Sequence, residues 1–386
     1  HQDLVLTTPW AHAFELGTTH YGRTIWAYQL GDADHITATG KREQAMLTNG
    51  GIHAREWQSP EVVTGIMELI ALEDDDHLIQ YLRDNANIVV IPVLNVDGFL
   101  QTQRYPSLNW LGTDLNYPET SPRDGRMRRK NMLATDEDLN TQDDHRMGVD
   151  LNRNNPPYWA AVWDRSSPNP ESLVHHGEFA HSEPETQALA AAAGLGPTDQ
   201  LAMYTDVHSF TQVQLWTRTP NNRLANLTER LLRTFANHHQ AFSAGKYYYF
   251  NDAEEVPYGG IGTTEEYFSR TYEVPAWTLE IEPSGGDHPG LPGHGADYGG
   301  LARNGHDGFI LPDSEVERVR TEVAQSLAVA YYVQSGPPAL TELRISDQAT
   351  GAVVFEAEWD SLDEDTRLLH SWQAQPLQLE RDYRVW

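Results

Sequence analysis

The sequence predicts an α/β fold: a mixed, mostly parallel central sheet with helices on both faces, plus a small β-rich C-terminal extension. Two observations support this fold class. Segments with strand-like and helix-like periodicity alternate along most of the chain. Residues 87–94 are almost entirely apolar, as expected of a strand buried on both faces. Such strands occur mainly in parallel sheets flanked by helices, so both observations indicate the same architecture.

The individual elements follow from the same periodicities. Residues 24–30 and 45–49 are predicted strands, and the second of them ends at a pair of glycines. Residues 60–72 have the three- and four-residue apolar spacing of a helix, with Pro60 at its first position and Ser59 as its N-cap. Further helices are predicted over 184–193, 222–242 and 314–332, and further strands over 203–207 and 277–281.

Composition changes near the C-terminus. After a Gly-Pro-Pro segment at 336–338, short alternating segments replace the longer helices and strands. We therefore expect one domain over residues 1–336 and a small β-rich segment of unknown role over residues 337–386.

Charge and composition exclude several classes of protein. The net charge of −29 argues against nucleic acid or an anionic membrane surface as a partner. The sequence has no apolar run long enough to span a membrane. Because it has no cysteine, any metal must be held by histidine and carboxylate. An acidic, lysine-poor surface also suits a salty environment, where self-repulsion is screened.

His53 and Glu56 are spaced so that an imidazole and a carboxylate on one turn can bind the same ion. This spacing alone is weak evidence, since His175 and Glu178 repeat it in a stretch of loop composition. The first pair follows a predicted strand, where open α/β sheets place their ligands. His208, at the end of another predicted strand, is a candidate third ligand that would leave a fourth position for water.

Several motifs in order then resemble the zinc metallocarboxypeptidases of the carboxypeptidase A/B family, in a bacterial-type form. Segment 51–57, Gly-Ile-His-Ala-Arg-Glu-Trp, is similar to that family's zinc signature. Segment 148–154, Gly-Val-Asp-Leu-Asn-Arg-Asn, is similar to its substrate-carboxylate motif. Segments 182–186, 207–209, 277–281 and 308–312 follow in the family's order. The resemblance covers about residues 10–335 and makes residues 1–336 the catalytic domain.

The resemblance implies one Zn²⁺ per chain and a role for each matching residue. His53, Glu56 and His208 match the zinc ligands, and Asp150 matches the carboxylate that orients the first histidine. Glu280 matches the general base. Arg129 matches the arginine that stabilises the oxyanion in the family, and Arg128 is the alternative.

Further matches concern the substrate. Asn152 and Arg153 match the pair that binds a terminal carboxylate, and Tyr258 matches a tyrosine that closes over it. Arg55 matches a residue of the neighbouring subsite. Glu265 lies 15 positions before Glu280, at the place that forms the base of the side-chain pocket in the family. An acidic residue there favours basic, or mixed basic and hydrophobic, C-terminal residues.

The resemblance therefore implies a zinc-dependent exopeptidase that removes residues from peptide or protein C-termini. An alternative with the same fold is a zinc amidohydrolase acting on acyl-amino acids or peptidoglycan stem peptides. A second alternative is a non-catalytic peptide-binding module, which the intact set of matching residues disfavours. We expect a monomer, and family resemblance implies an extracellular location, although the sequence shows no signal peptide.

Overall fold

A computed structural model describes residues 1–32, 34–105, 125–161, 165–196, 201–242, 249–252, 261–284, 308–336, 342–347, 349–350, 352–358 and 383–385. The chain divides into two compact units, His1–Ser335 and Gly336–Trp386. The larger unit contains the α/β sheet and all of the motifs described above.

An eight-stranded sheet forms the centre of the larger unit, in the order β1-β2-β4-β3-β5-β8-β6-β7. The strands run parallel across β4-β3-β5-β8 and between β6 and β7, and antiparallel at the other three pairings. The predicted mixed and mostly parallel sheet is therefore confirmed. Its strands are β1 (Ala11–Thr18), β2 (Thr24–Leu30), β3 (Gln44–Asn49), β4 (Ala86–Ile91), β5 (Leu201–Thr211), β6 (Val213–Trp216), β7 (Tyr249–Asp252) and β8 (Ala276–Ser284).

Helices cover both faces of this sheet. They are α1 (Gln2–Thr7), α2 (Gln58–Leu72), α3 (His77–Asn85), α4 (Val96–Arg104), α5 (Pro184–Ala192), α6 (Asn222–Phe242), α7 (Thr264–Thr271) and α8 (Asp313–Gln334). Met46 of β3 packs in one core cluster with residues of α2, α6 and α8, while its neighbour Leu47 packs in a second cluster with residues of α5 and α7. Successive side chains of one buried strand thus stabilise opposite layers.

The register of the central strands brings the candidate residues together. In the parallel pairing of β5 with β8, His208 lies directly opposite Glu280. The preceding residue on each strand, Val207 or Leu279, packs in the first core cluster. Because successive side chains of a strand point to opposite faces, the side chains of His208 and Glu280 point to the face covered by α5 and α7. Strand β3 lies on the other side of β5 and leads directly into the turn that carries His53. The site therefore forms at the carboxyl ends of adjacent parallel strands.

The prediction of Ser59 as an N-cap was wrong. Helix α2 begins at Gln58 after Trp57, and Ser59 lies inside its first turn with a fully buried side chain. The Ser59 hydroxyl donates to the Glu56 carbonyl at 2.9 Å and accepts from the Gly51 N–H at 2.9 Å. Its hydroxyl therefore fixes the turn between β3 and α2.

The smaller unit contains a three-stranded antiparallel sheet in the order β10-β9-β11. Its strands are β9 (Glu342–Asp347), β10 (Val353–Glu358) and β11 (Tyr383–Val385). Across the described parts of both units, every helix is too short or too polar to cross a lipid bilayer.

Candidate metal centre

The turn between β3 and α2 presents His53 and Glu56 on the same side. The Glu56 N–H donates to the His53 carbonyl at 3.2 Å, which closes the turn. Gly51 begins the turn with a φ of +61°, and a β-carbon there would lie 3.2 Å from the Pro60 ring. Glycine adopts this left-handed conformation without steric cost, so the turn depends on it.

His208 completes a cluster of three possible metal ligands. The His53 Nδ1 atom lies 2.8 Å from Glu56 Oε1 and 3.1 Å from His208 Nδ1, and His208 Nδ1 lies 3.1 Å from Glu56 Oε2. All three side chains are buried. Two imidazole nitrogens and a carboxylate thus converge on a single point.

Each imidazole is oriented by a buried carboxylate on its far nitrogen. His53 Nε2 lies 3.2 Å from Asp150 Oδ1, and His208 Nε2 lies 2.8 Å from Asp206 Oδ2. A carboxylate on Nε2 favours the tautomer with its proton on that nitrogen, which leaves the Nδ1 lone pair for a metal at the shared point. Asp206 was missed in the sequence. It lies two residues before His208 on the same strand, and two-residue spacing that places both side chains on one face was the available signal.

The donor set fits zinc. Two ligands about 2.0–2.1 Å from a tetrahedral zinc ion lie about 3.3 Å apart, close to the 2.8–3.1 Å separations of the ligand atoms. Both carboxylates behind the imidazoles are fully buried, as is typical of partners that fix metal-bound histidines. The described residues include three further groups of His, Asp and Glu with this degree of clustering, but only this one lies at the carboxyl ends of β3 and β5.

Asp150 also links the cluster to Arg129. Its Oδ2 atom lies 2.9 Å from Arg129 Nη2, and Arg129 Nη1 lies 3.3 Å from His53 Nδ1. Burial opposes ionisation of Asp150, but the Arg129 and Arg153 guanidinium groups outweigh it and hold the pKa of Asp150 well below its usual range. The carboxylate therefore stays charged beside the candidate ligands.

Arg128 points elsewhere. Its guanidinium donates to the backbone carbonyls of Asp144 at 2.8 Å and Met147 at 2.7 Å, and the side chain is buried. Arg128 thus fixes a loop, whereas Arg129 extends to the metal cluster. The geometry favours Arg129 of the two arginines that the sequence left open.

Glu280 is partly buried, opposite His208 in the sheet. Its Oε2 atom is inaccessible to solvent and has no hydrogen-bond partner among the described residues. Burial raises the pKa of Glu280 to about 8, an effect that His208 opposes and the Glu56 carboxylate increases. The side chain is therefore a carboxylate with a strong tendency to take up a proton.

Arg153 and Asn152 lie on a short 3-10 turn that follows Asp150. The Asn152 Oδ1 atom accepts from the Thr264 N–H at 2.9 Å, and its Nδ2 atom lies 3.5 Å from His208 Nε2. Arg153 uses Nε and Nη1 to donate to the carbonyls of Arg165 and Asn152. Its Nη2 atom donates to no group in the described part of the chain, so it can bind an added carboxylate.

The two remaining specificity candidates are both buried. Arg55 places its guanidinium 4.2 Å from the centre of the Phe309 ring. Glu265, on α7, accepts hydrogen bonds from the Thr263 hydroxyl at 2.7 Å and the Thr278 hydroxyl at 3.1 Å. Burial raises the pKa of the Glu265 carboxyl.

Two further residues that the sequence pattern singled out are Tyr258 and His175. Tyr258 lies outside the described residues. His175, of the second histidine–glutamate pair, directs its Nδ1 atom to the Ser167 carbonyl at 3.1 Å and takes no part in the metal cluster.

An α/β domain that joins a His₂Glu cluster to a free carboxylate and two arginines has the composition of a mononuclear metallohydrolase. Comparison with known proteins gives the family. The zinc carboxypeptidase family model matches residues 6–326, and the chain belongs to this family.

Individual relatives agree with this assignment. Carboxypeptidase O of Bos taurus is 25% identical over 316 residues, which are 81% of this chain and 70% of that protein. Zinc carboxypeptidase A 1 of Anopheles gambiae is 25% identical over 321 residues, 81% of this chain and 60% of the relative. The crystal structure of carboxypeptidase A from Helicoverpa armigera matches with a TM-score of 0.65 and 21% identity, covering 87% of this chain and 71% of that one. The chain thus spans between 60% and 70% of the length of the first two relatives.

Proposed function

We propose that this protein is a zinc-dependent exopeptidase that hydrolyses the last peptide bond of peptides or proteins. The observation that carries the proposal is the convergence of His53, Glu56 and His208 on one point. His208 in turn lies opposite Glu280 in the sheet. The family match supports a carboxypeptidase, and the contacts below support the individual roles.

His53, Glu56 and His208 would hold the zinc ion through the two Nδ1 atoms and the carboxylate. When bound there, zinc supplies a Lewis acid that activates water and polarises a carbonyl. Asp150 and Asp206 keep the two rings in the tautomer that can bind it.

Glu280 acts as the general base. Its Oε2 atom takes a proton from the attacking water and then delivers that proton to the nitrogen of the leaving amine. A buried oxygen without a competing hydrogen-bond donor suits this role, because nothing else must be displaced before the proton arrives.

Arg129 stabilises the negative charge that develops on the oxygen of the scissile carbonyl. Its two contacts with Asp150 hold the guanidinium beside the metal ligands before substrate binds. A donor that is already oriented loses no free energy to reorganisation during the reaction.

Arg153 and Asn152 bind the terminal carboxylate of the substrate, which restricts cleavage to the last bond. The fork of a guanidinium matches both oxygens of a carboxylate, and Asn152 is already oriented by the Thr264 backbone. Tyr258 is proposed from the sequence alone to close over this end of the substrate. Arg55, next to Phe309, lines the subsite for the preceding residue.

Glu265 sets the preference for the C-terminal side chain. A carboxylate in the pocket attracts lysine or arginine, and its two hydroxyl partners are able to remain bound when a cation arrives. The expected specificity is therefore basic, or mixed basic and hydrophobic.

The test is to follow a peptide by mass spectrometry after adding zinc-loaded protein. Successive loss of single C-terminal residues is expected, with loss of activity on zinc removal and its return on zinc addition. A Glu280→Gln variant, which keeps the shape of the side chain, should bind zinc and be inactive. Cleavage of N-acyl amino acids or peptidoglycan stem peptides, but not of peptide C-termini, would instead favour the amidohydrolase. Cleavage of internal peptide bonds would contradict an exopeptidase.

A further inference from the structure

A second group of carboxylates, separate from the metal centre, lies in the connection between β2 and β3. Asp32, Asp34 and Glu43 each place one carboxylate oxygen within 4.8 Å of the others. Asp34 is exposed, Asp32 is partly buried and Glu43 is only 1% exposed. The group thus extends from the surface to a buried acid.

Glu43 is the unusual member. Both of its carboxylate oxygens are inaccessible to solvent, and neither has a hydrogen-bond partner in the described part of the chain. The carboxylates of Asp32, Asp34 and Asp84 lie nearby, so burial and then these three charges raise the pKa of Glu43 to about 8. A bare carboxylate in such surroundings is strongly disfavoured unless something compensates for it.

The neighbouring side chains do not compensate. Asp32, Asp34 and Glu43 form no ion pair with any residue that the structure describes. Arg83 is adjacent, since its carbonyl accepts from the Asp32 N–H at 2.9 Å, but its guanidinium donates to Asp74 and to the Ile70 carbonyl. No direct ion pair with a described residue therefore balances the negative charges of the group.

Protonation of Glu43 would not satisfy the group either. A protonated carboxyl has an O–H that needs an acceptor, and no acceptor lies within hydrogen-bond distance of either oxygen among the described residues. A cation bound among the three side chains would instead balance their charges and coordinate the buried oxygens.

We propose that Asp32, Asp34 and Glu43 form a calcium-binding site. The three ligands are all oxygens, which hard cations prefer, and no imidazole belongs to the group. Oxygens bound to one Ca²⁺ at about 2.3–2.6 Å are at most about 5 Å apart, which the observed 4.8 Å limit satisfies. Ca²⁺ fits better than Mg²⁺ because an irregular loop cannot readily supply the near-ideal octahedron that Mg²⁺ requires.

The loop itself orients two of the ligands. The Asp32 Oδ1 atom accepts from the Asp34 N–H at 3.2 Å, and the Asp34 Oδ1 atom accepts from the Ile36 N–H at 2.8 Å. The second oxygen of each side chain is left for the ion. Calcium would thus join the start of the loop after β2 to Glu43, the residue before β3, and stabilise the strand that leads to the catalytic turn.

The experiment uses the full chain, dialysed into calcium-free buffer that contains micromolar zinc, so that the catalytic site stays loaded. Calcium is then titrated while binding is measured by calorimetry and the melting temperature is recorded. Near a hundredfold excess over its dissociation constant, calcium should raise the melting temperature by about 5 °C. Glu43→Gln should abolish this rise, because a neutral amide replaces the buried anionic ligand. Glu15→Gln, at an exposed position of β1, is the control with the same charge change and should respond as the parent does.

Asp34→Asn keeps the test decisive if the Glu43 variant fails to fold, because Asp34 is exposed and its loss should weaken calcium binding at least about tenfold. The proposal is overturned if millimolar calcium neither binds nor stabilises the parent chain. It is equally overturned if the Glu43 and Asp34 variants respond to calcium as fully as the Glu15 control.

Discussion

Asp206 offers a sharp test of how the metal centre is built. Its fully buried carboxylate accepts hydrogen bonds from Asn49 Nδ2 at 2.7 Å and from the Thr264 hydroxyl at 2.6 Å, and it contacts His208 Nε2 at 2.8 Å. Asp206→Asn keeps the volume of the side chain but replaces one oxygen by an NH₂ donor. The donors from Asn49, Thr264 and His208 then meet a group that has only one acceptor oxygen. The negative charge that makes His208 a better ligand is also lost.

The expected effect is a zinc dissociation constant about 10- to 100-fold higher, which corresponds to about 1.4–2.7 kcal/mol. Equilibrium dialysis against zinc buffers measures it directly, and activity should recover in part at high zinc. Asp97→Asn is a matched control. Asp97 is equally buried and accepts from Arg23, but it contacts no candidate ligand, so its loss should lower stability without weakening zinc binding. Unchanged zinc affinity in a folded Asp206→Asn protein, or equal weakening in the control, would refute the reasoning.

Three further predictions follow from the same structure. Arg153→Gln should lower kcat/KM for peptides with a free C-terminus by about 10- to 100-fold, because a charge-assisted contact with the terminal carboxylate is lost; an unchanged kcat/KM would exclude this role. Glu265→Gln should lower the ratio of kcat/KM for C-terminal arginine over leucine about tenfold; an unaltered ratio would mean that the pocket selects by other residues. Glu185→Gln tests an effect on stability. Burial raises the pKa of Glu185 from 4.5 to about 7. Between these two pH values the folded chain therefore keeps a proton that the unfolded chain has lost. The free energy of unfolding of the parent should therefore fall as pH rises from 4.5 through 7, and that of the variant should fall less. At pH 8 the variant should be more stable than the parent by about 1–3 kcal/mol in urea denaturation. A parent as stable as the variant at pH 8 would contradict the pKa shift.

The sequence predicts the centre of the site better than its surroundings. His53, Glu56 and His208 follow strand-like segments, and parallel strands bring their carboxyl ends to one edge of the sheet. Their convergence could therefore be expected from spacing and order. The choice between Arg128 and Arg129 could not, because adjacent residues of an irregular loop have no periodicity to tell which one points inward.

The elements missed in the sequence have weak patterns. Strand β1 is an edge strand whose residues are mostly partly exposed, so it lacks a clear alternation of apolar and polar side chains. Helix α7 has only eight residues, and its buried positions include polar ones such as Thr264 and Glu265, which contact the site rather than an apolar core. Ser59 has the residue type of a helix cap, but the Glu56 carbonyl and the Gly51 N–H bind its hydroxyl instead. For α7 and Ser59, a tertiary contact that local pattern does not show determines the outcome.

The most direct test of the proposed function compares one N-blocked dipeptide with its C-terminal amide. The two substrates differ only in the group that Arg153 and Asn152 are proposed to bind. Zinc-loaded protein should hydrolyse the free acid at least about 100-fold faster than the amide, and a Glu280→Gln protein should hydrolyse neither. Equal rates for acid and amide, or hydrolysis that persists in the Glu280→Gln protein, would contradict a metal-dependent exopeptidase built on these residues.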